Sequence, residues 1–238
     1  MERPYRKLEL TRESLIGCPF FDDLSDLQRD EMARRCEARC YRPGAEIVRF
    51  GEADRSVFFL RAGRVQATLL TASGKTVTFQ ELGSGAMFGE LSAIDGETRS
   101  ASVVAIDECT LLRMSGHDFK AVIAENTLLA DRAMLRLCTL SRFLCERLFE
   151  ALAYTVPDQI AMEILRIVSQ HAVVDNSLDL DRAPSHEDIA RRVGTSREQV
   201  TRVIGDLAKR GLLEHSRQHW RVPDVDAITE HLGRRLSR

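Results

Sequence analysis

The chain has 238 residues, with 34 basic and 36 acidic side chains and a formal net charge of −2. Its length predicts two domains, since most domains contain about 100–150 residues. No apolar run approaches the roughly 20 residues of a membrane-spanning helix, and the N-terminus "MERPYRKLEL" lacks the apolar segment of a signal peptide. We therefore expect a soluble cytoplasmic protein without membrane association, whose six cysteines stay reduced.

The predicted elements begin with a short helix in "DLSDLQRDEMARRCEARC" and continue as β-strands. Between Tyr41 and Ser115, short runs rich in β-branched and aromatic residues alternate with glycine-containing turns. These runs are "EIVRF", "SVFFLRAG", "VQATLL", "TVTFQEL", "ASVVAI" and "TLLRMS". Short strands separated by regular turn signals predict a β-sandwich or barrel.

A long helix is predicted from about Asp118 to Leu152, a segment without glycine or proline. Residues at three- and four-residue spacing draw a narrow, mainly apolar stripe along one side of this helix. The stripe consists of Met134, Leu137, Ser141, Leu144, Leu148 and Ala151, and the adjacent Cys145 is added to the expected contact residues. Because such a stripe usually packs on a partner, we predict that these residues form the interface of a homodimer. The alternative is a helix that only covers its own β-domain.

A new helix begins around Pro157 in "AYTVPDQIAMEIL", which predicts a hinge between Tyr154 and Val156. The segments that follow are strongly helical in pattern. The chain is therefore expected to comprise a β-domain at 1–117, a dimerisation helix at 118–153 and a C-terminal domain at 154–238.

The stretch "SHEDIARRVGTSREQVTRVIGDLAKRGLL" contains two helical patterns joined by a turn around Gly194, which predicts a helix-turn-helix. Both helix starts carry capping signals, Ser185 with Asp188 and Ser196 with Gln199. In the second helix, one side is apolar and the other is polar. The apolar side consists of Val200, Val203, Ile204 and Leu207, and the polar side of Arg197, Glu198, Thr201 and Arg202. The following "LLEHSRQHWRV" predicts two short strands, the wing of a winged helix-turn-helix domain.

Basic residues are concentrated in this region, where eight basic and three acidic side chains lie between Arg191 and Arg221, a local charge of +5. Together with the helix-turn-helix pattern, this charge predicts that the polar side binds double-stranded DNA. Arg191 and Arg192 are expected to contact phosphates. The alternative is a solvated helix face on which Glu198 and Arg202 form an i,i+4 salt bridge.

The stretch "FGELSAIDGETRSASV" places Gly89 and Glu90 before Arg99, which two small residues follow. A glycine lets backbone amides approach a ligand, a carboxylate accepts hydrogen bonds from sugar hydroxyls, and an arginine fork matches phosphate oxygens. The stretch therefore predicts a site for a sugar phosphate. The alternative is a structural salt bridge between Glu90 and Arg99.

With "FGEL" followed by "RSASV", and with "TSREQVTRVI" in the second helix, the sequence resembles the Crp/Fnr family of bacterial transcription regulators and its cyclic AMP receptor branch. The resemblance implies an α+β protein with an N-terminal β-roll (jelly-roll) cyclic-nucleotide-binding domain, a long dimerisation helix and a C-terminal winged helix-turn-helix domain. It implies a homodimer that binds a palindromic TGTGA-like operator when a cyclic nucleotide is bound, with RNA polymerase as a further partner. Neither enzymatic activity nor a metal is expected.

The resemblance also assigns roles to residues. Gly89, Glu90 and Leu91 would hold the ribose and cyclic phosphate, and Glu90 would accept the 2′-hydroxyl. Arg99 would pair with the phosphate, with Ser100 and Ala101 completing the cradle. The residues that would face DNA are Ser196, Arg197, Glu198, Thr201 and Arg202.

One departure concerns the base of the nucleotide. Cyclic AMP receptors recognise adenine with adjacent threonine and serine on the long helix, where this sequence reads approximately Leu144 and Cys145. Thr139 and Ser141 are the nearest upstream hydroxyls, and neither aligns cleanly. Both cAMP and cGMP therefore remain open as effectors.

Three other classes compete with this prediction. A redox or gas sensor needs convergent cysteines; Cys36 and Cys40 form one C-x3-C pair with Cys18 apart, and Cys138 and Cys145 are expected to be buried thiols. A cyclic-nucleotide-binding regulator without a DNA target would not need the helix-turn-helix. An enzyme would need a nucleophile, a base and an orienting group at recognisable spacing, and none appears. Four of the six histidines, His171, His186, His215 and His219, have no partner set for a metal.

Overall fold

The computed structural model describes residues 4–70, 76–216 and 219–236. Arg217, one of the basic residues counted above, lies outside this range. The chain divides into two compact units, Met1–Lys75 with Phe79–Phe143, and Thr76–Thr78 with Leu144–Arg238. The division falls inside the longest helix, so this helix contributes to both units. The three-part division predicted from the sequence stays a prediction.

The first unit is built on two β-sheets, whose strand orders are β1-β2-β9-β4-β7 and β3-β8-β5-β6. Its strands are β1 (Tyr5–Leu8), β2 (Cys36–Tyr41), β3 (Glu46–Val48), β4 (Val57–Ala62), β5 (Val65–Leu70), β6 (Thr76–Leu82), β7 (Met87–Phe88), β8 (Ser102–Ala105) and β9 (Cys109–Met114). Its helices are α1 (Asp26–Arg34), α2 (Glu90–Asp95), α3 (Gly116–Glu125) and the first part of α4 (Thr127–Ala153). Most predicted strands are therefore confirmed.

Strand β4 explains why part of the sequence reads as a continuous apolar run. Successive side chains of a strand point to opposite faces of the sheet. Val57 and Phe59 join one hydrophobic cluster, while Phe58 and Leu60 join another, and all four are buried. The sheet is thus covered on both faces, which holds the adjacent loops in place.

Two helix predictions were wrong in extent. In the first, the helix ends at Arg34 and Cys36–Tyr41 forms β2, which pairs with β1 and β9. In the second, the helix expected from Asp118 to Leu152 is broken at Asn126, whose backbone is extended (φ −131°, ψ 107°). Its side-chain oxygen accepts hydrogen bonds from the Leu128 and Leu129 amides at 3.1 and 3.3 Å, so Asn126 caps the start of α4.

The second unit packs helices on a small three-stranded sheet. Its helices are the end of α4, α5 (Val156–Ser169), α6 (His186–Val193), α7 (Arg197–Lys209) and α8 (Val225–Leu236), and its strands are β10 (Leu178–Leu180), β11 (Glu214–His215) and β12 (Trp220–Val222). The sheet order is β10-β12-β11, so β11 and β12 form the predicted wing. The helix break predicted at 154–156 is confirmed. No helix in the described part of the chain has the length and apolarity needed to span a membrane.

The turn of the helix-turn-helix depends on Gly194, which adopts a left-handed conformation (φ 76°) at the end of α6. The predicted capping box of Ser185 and Asp188 is confirmed. At α7 only half of the predicted box forms: Ser196 accepts a hydrogen bond from the Gln199 amide at 3.4 Å. The Gln199 side chain instead accepts a hydrogen bond from the Thr195 hydroxyl at 2.8 Å, so the reciprocal contact was wrongly predicted.

Candidate nucleotide site and nucleic-acid interface

The candidate nucleotide site begins at Gly89, between β7 and α2. Gly89 has a left-handed backbone (φ 84°), which favours glycine. A Cβ at this position would lie 2.7 Å from both the Arg99 Nη1 atom and the Ser56 carbonyl oxygen. Only glycine therefore allows the backbone to approach the Arg99 guanidinium so closely.

Arg99 is the cation of this site and is only 2% exposed. Its Nη1 donates to the Gly89 carbonyl at 3.0 Å, and its Nη2 donates to Asp54 at 2.6 Å and to the Ser56 carbonyl at 2.7 Å. Its Nε is buried and has no hydrogen-bond partner among the described residues. Since a guanidinium has five N–H donors, the Nε donor and one Nη1 donor remain for another acceptor.

Asp54 is the counter-ion of Arg99 in the chain. Its side chain also accepts a hydrogen bond from the Ser56 hydroxyl at 2.9 Å and lies 3.7 Å from Arg113. Partial burial raises the pKa of Asp54, but the hydrogen bonds from Arg99 and Ser56 outweigh it, so the pKa lies below its usual value. Asp54 is therefore ionised near neutral pH, and an anionic ligand would have to compete with it for Arg99.

Glu90 is 3% exposed and forms its ion pair with Arg136 of α4, at 3.2 Å. Burial raises the pKa of Glu90, while the charges of Arg136 and Arg99 lower it less. The same Arg136 Nε donates to the Met87 carbonyl at 3.0 Å. In the described part of the chain, the direct Glu90–Arg99 salt bridge considered as an alternative does not form. Each charge has a different partner.

The remaining predicted ligand residues flank this core. Leu91 follows Glu90 in α2 and is partly buried. Ser100 is exposed and Ala101 is buried directly after Arg99. The loop before β4 is held against Arg99 by backbone hydrogen bonds of 2.9 Å from the Gly51 amide to the Arg99 carbonyl and from the Arg99 amide to the Glu52 carbonyl. The roles of Leu91, Ser100 and Ala101 in ligand binding stay predictions.

Sequence reasoning missed Asp54, Ser56 and Arg136. The first two lie in the polar segment "GEADRS" before β4, which reads as an ordinary turn. Arg136 lies on α4 without a local motif around it. Only the packing of distant elements brings these three residues to the site.

The position of Arg136 also bears on base recognition. Leu144 and Cys145 begin more than two helical turns after Arg136, which corresponds to about 12 Å along the helix. Within one turn after Arg136 lie Thr139 and Leu140, and the Thr139 hydroxyl donates to the Leu135 carbonyl at 2.9 Å. The assignment of Leu144 and Cys145 to base recognition stays a prediction.

The second helix of the helix-turn-helix has the two predicted sides. Its apolar side chains are all buried: Val200, Val203, Ile204 and Leu207. The predicted DNA-facing residues are all exposed: Ser196, Arg197, Glu198, Thr201 and Arg202. The alternative was a salt bridge between Glu198 and Arg202. Among the described residues, no ion pair joins these two side chains. Their contacts with DNA stay predictions.

Arg191 and Arg192 differ from the sequence prediction. Arg191 forms an ion pair with Asp188 on its own helix. The Arg192 side chain is mostly buried and pairs with Glu163 at 3.0 Å. Arg192 was therefore wrongly predicted to contact phosphate, because the buried carboxylate of Glu163 holds its guanidinium inside the unit.

Glu163 is the centre of a buried ionic cluster that joins three helices. Its carboxylate contacts Arg166 at 2.5 Å and Arg192 at 3.0 Å, and lies 3.8 Å from Arg147. Arg147 also donates to the Arg192 carbonyl at 2.8 Å, and Arg166 pairs with Glu150 at 2.6 Å. The end of α4 is thus tied to α5 and to α6, the first helix of the helix-turn-helix.

The predicted interface stripe on α4 is largely uncovered in the single chain. Met134, Leu144 and Leu148 are 56%, 46% and 60% exposed, Ser141 is exposed and Leu137 is partly buried. Four further large apolar residues of α4 are also exposed: Leu128, Leu135, Phe149 and Leu152. A long apolar surface of this kind indicates an interaction site.

Cys138 and Cys145 on α4 were predicted to be buried thiols. Both are exposed in the single chain. Burial raises the pKa of Cys18 to about 11 and that of Cys36 to about 12, so both are protonated thiols near neutral pH. A cysteine binds a metal as the thiolate, so neither residue is in the form that a metal ligand requires. Within residues 4–70, 76–216 and 219–236, no group of three or more histidine, cysteine or acidic side chains has the geometry of a metal site.

Comparison with protein families gives two matches. Residues 38–126 match a family described as "Cyclic nucleotide-binding domain", and residues 158–230 match one described as "Crp-like helix-turn-helix domain". Together the two matches cover more than half of the chain. They agree with the two units of the structure and confirm the predicted α+β fold class.

Relatives of known function match one or both parts. The "Cyclic AMP receptor protein" of Thermus thermophilus is 29% identical over 83% of this chain and 88% of its own length. A "Cyclic nucleotide-gated potassium channel" of Mesorhizobium japonicum is 34% identical over 49% of this chain and 31% of its own length. Among solved structures, a CooA mutant from Carboxydothermus hydrogenoformans has a TM-score of 0.74 at 19% identity, covering 94% of this chain and 98% of the other.

Proposed function

Because the chain belongs to the Crp/Fnr family of DNA-binding transcription regulators and carries its cyclic nucleotide-binding domain, we propose that it acts as a homodimer on a palindromic operator with cAMP or cGMP as the effector. Regulators of this family are not enzymes. The observation that carries the proposal is that one chain holds both a buried, incompletely paired Arg99 beside Gly89 and a fully exposed polar face on α7.

The chemistry of the Arg99 pocket fits a cyclic nucleotide. The two remaining guanidinium donors suit the oxygens of a cyclic phosphate, and charge-assisted hydrogen bonds of this type are the strong ones. The Glu90 carboxylate, kept in place by Arg136, accepts the ribose 2′-hydroxyl. Ser100 supplies an exposed hydroxyl donor, and Ala101 keeps the adjacent wall small.

The pair of Glu90 and Arg136 provides a route from the ligand to the dimer interface. A ligand that engages the Glu90 carboxylate changes the partner set of Arg136, which lies on the helix that carries the apolar stripe. We propose that the ligand thereby selects the dimer arrangement that fits DNA. The two recognition helices of the dimer enter successive major grooves, roughly 34–36 Å apart.

The exposed face of α7 indicates the bases that are read. Arginine makes its best specific contact with guanine, and glutamate accepts a hydrogen bond from cytosine. Arg197, Glu198 and Arg202 therefore favour half-sites with G·C pairs, and the resemblance of this helix to the cyclic AMP receptor helix narrows them to a TGTGA-like sequence. RNA polymerase is the expected protein partner at the promoter.

A second candidate is a regulator of the same family that responds to another signal. Two observations favour it: Asp54 already neutralises Arg99, and the predicted base-recognising positions carry Leu144 and Cys145 in place of two hydroxyls. In that case the DNA-binding part of the proposal is unchanged and only the effector differs.

Calorimetric titration of the purified protein with cAMP and with cGMP tests the effector. We expect heat and thermal stabilisation from at least one of them. Arg99→Ala should weaken binding by about 1.5–3 kcal/mol, the contribution of one hydrogen bond to a charged group. Arg64→Ala, which removes an exposed arginine paired with Asp107, is the control and should bind normally. If neither nucleotide gives heat or stabilisation up to millimolar concentration, the effector assignment is wrong.

A further inference from the structure

Thr201 lies on the exposed face of α7 and touches a histidine from the preceding helix. The Nδ1 atom of His186, the first residue of α6, is 2.9 Å from the Thr201 Oγ1 atom. The same Oγ1 is 2.9 Å from the Arg197 carbonyl oxygen, one turn earlier on α7. Two contacts therefore converge on a hydroxyl group that carries only one proton.

Only one arrangement makes both contacts hydrogen bonds. A carbonyl oxygen can only accept a hydrogen bond, so the Thr201 hydroxyl group donates its hydrogen bond to the Arg197 backbone carbonyl. The hydroxyl oxygen then accepts a hydrogen bond from His186, which must carry a proton on Nδ1. This arrangement holds for the neutral Nδ1–H tautomer and for protonated histidine, so it does not depend on the charge of His186.

The rotamer of Thr201 is thereby fixed by two neighbours, and its hydroxyl proton is used inside the protein. The part of the side chain that remains for a partner is the methyl group. The neighbouring residues Arg197, Glu198 and Arg202 are all charged and exposed. The methyl group of Thr201 therefore lies among side chains that can form hydrogen bonds with base edges. In the major groove, a threonine methyl contacts the C5 methyl group of thymine.

We propose that Thr201 is a specificity-determining residue that contacts a thymine C5 methyl in the operator, and that His186 is the positioning residue that holds its methyl group toward the DNA. The inference rests on the proposed function, since it requires that α7 enters the major groove.

The surroundings of His186 fit a positioning role. Its ring packs against that of His215 on β11, with centroids 5.5 Å apart, and Arg197 is the nearby cation on α7. Partial burial, His215 and Arg197 lower the pKa of His186 below its ordinary value. His186 is therefore neutral at neutral pH and acts as a hydrogen-bond donor, while Arg197 remains exposed to contact a base.

The test uses a duplex with the inverted repeat TGTGA, in which each thymine is replaced in turn by deoxyuridine, symmetrically in both half-sites. Deoxyuridine differs only in lacking the C5 methyl group. With saturating effector, the wild type should lose about threefold to fourfold in affinity per protomer at one thymine position, as expected for one buried methyl group. Thr201→Ser keeps the hydroxyl and should bind the thymine and deoxyuridine duplexes equally.

Variants of His186 distinguish a loss of Thr201 positioning from a general loss of DNA binding. His186→Asn retains an amide donor near the position of Nδ1 and should keep the preference for thymine. His186→Ala should lose most of that preference while it still prefers the palindrome over random DNA. Full thymine preference in His186→Ala would overturn the positioning role.

The proposal for Thr201 is overturned if the wild type binds every deoxyuridine duplex as tightly as the thymine duplex, or if Thr201→Ser keeps the wild-type ratio. A wild type that discriminates the palindrome from random DNA in that experiment leaves the proposed function standing. A wild type that does not prefer the palindrome at all overturns the proposed function and this inference together.

Discussion

At the scale of single residues, Gly89 sets how closely the backbone approaches Arg99. Gly89→Ala places a methyl group 2.7 Å from Ser56 and Arg99 atoms in a left-handed backbone. We expect the free energy of unfolding to fall by roughly 1–3 kcal/mol and nucleotide affinity to fall with it, because Arg99 must move. Gly83→Ala is the control, since its Cβ would meet no atom within 4 Å and should change stability little. Equal behaviour of the two variants in denaturant unfolding would contradict this account.

Asp54 gives the site a dependence on pH. The pKa of its carboxyl is lower in the folded chain than in the unfolded chain, where it is roughly 3.9. The unfolded state therefore binds more protons in this range, and the stabilisation is present above the unfolded pKa and lost as pH falls through the folded pKa. Unfolding measured from pH 7 downward should show a shallower acid decline for Asp54→Asn than for the wild type. Glu97→Gln, which removes an exposed carboxyl group two residues before Arg99, should decline like the wild type.

The residues of the nucleotide site show how far sequence can reach. Gly89, Glu90 and Arg99 belong to one short stretch and were found by their chemistry. The ion-pair partners of Arg99 and Glu90, Asp54 and Arg136, are far away in sequence and were not found, because no local pattern marks the end of a long-range ion pair.

At the scale of elements, the ionic cluster around Glu163 holds the end of α4 to the helix-turn-helix. Glu163→Gln removes the carboxylate that pairs with Arg192 in a partly buried place and leaves Glu150 as the carboxylate beside Arg147 and Arg166. Breaking a buried ion pair from one side typically costs about 3–5 kcal/mol. We expect a loss of stability of that order in chemical denaturation. Glu187→Gln on the exposed side of α6 should change stability by less than about 0.5 kcal/mol.

The apolar stripe of α4 makes a prediction about assembly. Leu148 is 60% exposed in the single chain, so a charge there does not disturb the core of either unit. Leu148→Glu should convert a dimer into a monomer in sedimentation measurements while circular dichroism remains that of the folded protein. Glu146→Gln, on an exposed position of the same helix, should leave the dimer intact. A wild type that sediments as a monomer at micromolar concentration, with and without nucleotide, would contradict the role given to this stripe.

Element boundaries were predicted less well than element types. The two helices and the turn of the helix-turn-helix were predicted because glycine, capping serines and the apolar pattern agree with one another. The break at Asn126 was missed, although asparagine is a preferred capping residue, because the apolar pattern continues across it. Strand β2 was read as helix because "CEARCY" has only two buried side chains, Ala38 and Tyr41, and therefore no clear alternation.

At the scale of the whole molecule, the two family matches lie on either side of α4, which is divided between the two units. The class of protein can be predicted from sequence motifs, because the characteristic motif of each unit lies on one contiguous stretch of sequence. The identity of the effector cannot, since the positions assigned to base recognition, Leu144 and Cys145, carry no hydroxyl group that would select a base.

In the proposed mechanism, nucleotide bound at Glu90 and Arg99 strengthens operator binding. The most direct measurement is the affinity for the palindromic duplex with and without saturating cAMP or cGMP, for the wild type and for Arg99→Ala. We predict that the effective nucleotide tightens wild-type binding by about 5–150-fold, and that operator tightens nucleotide binding by the same factor. Arg99→Ala should show neither effect at the same nucleotide concentration. Identical operator affinity with and without a nucleotide that calorimetry shows to be bound would contradict the account.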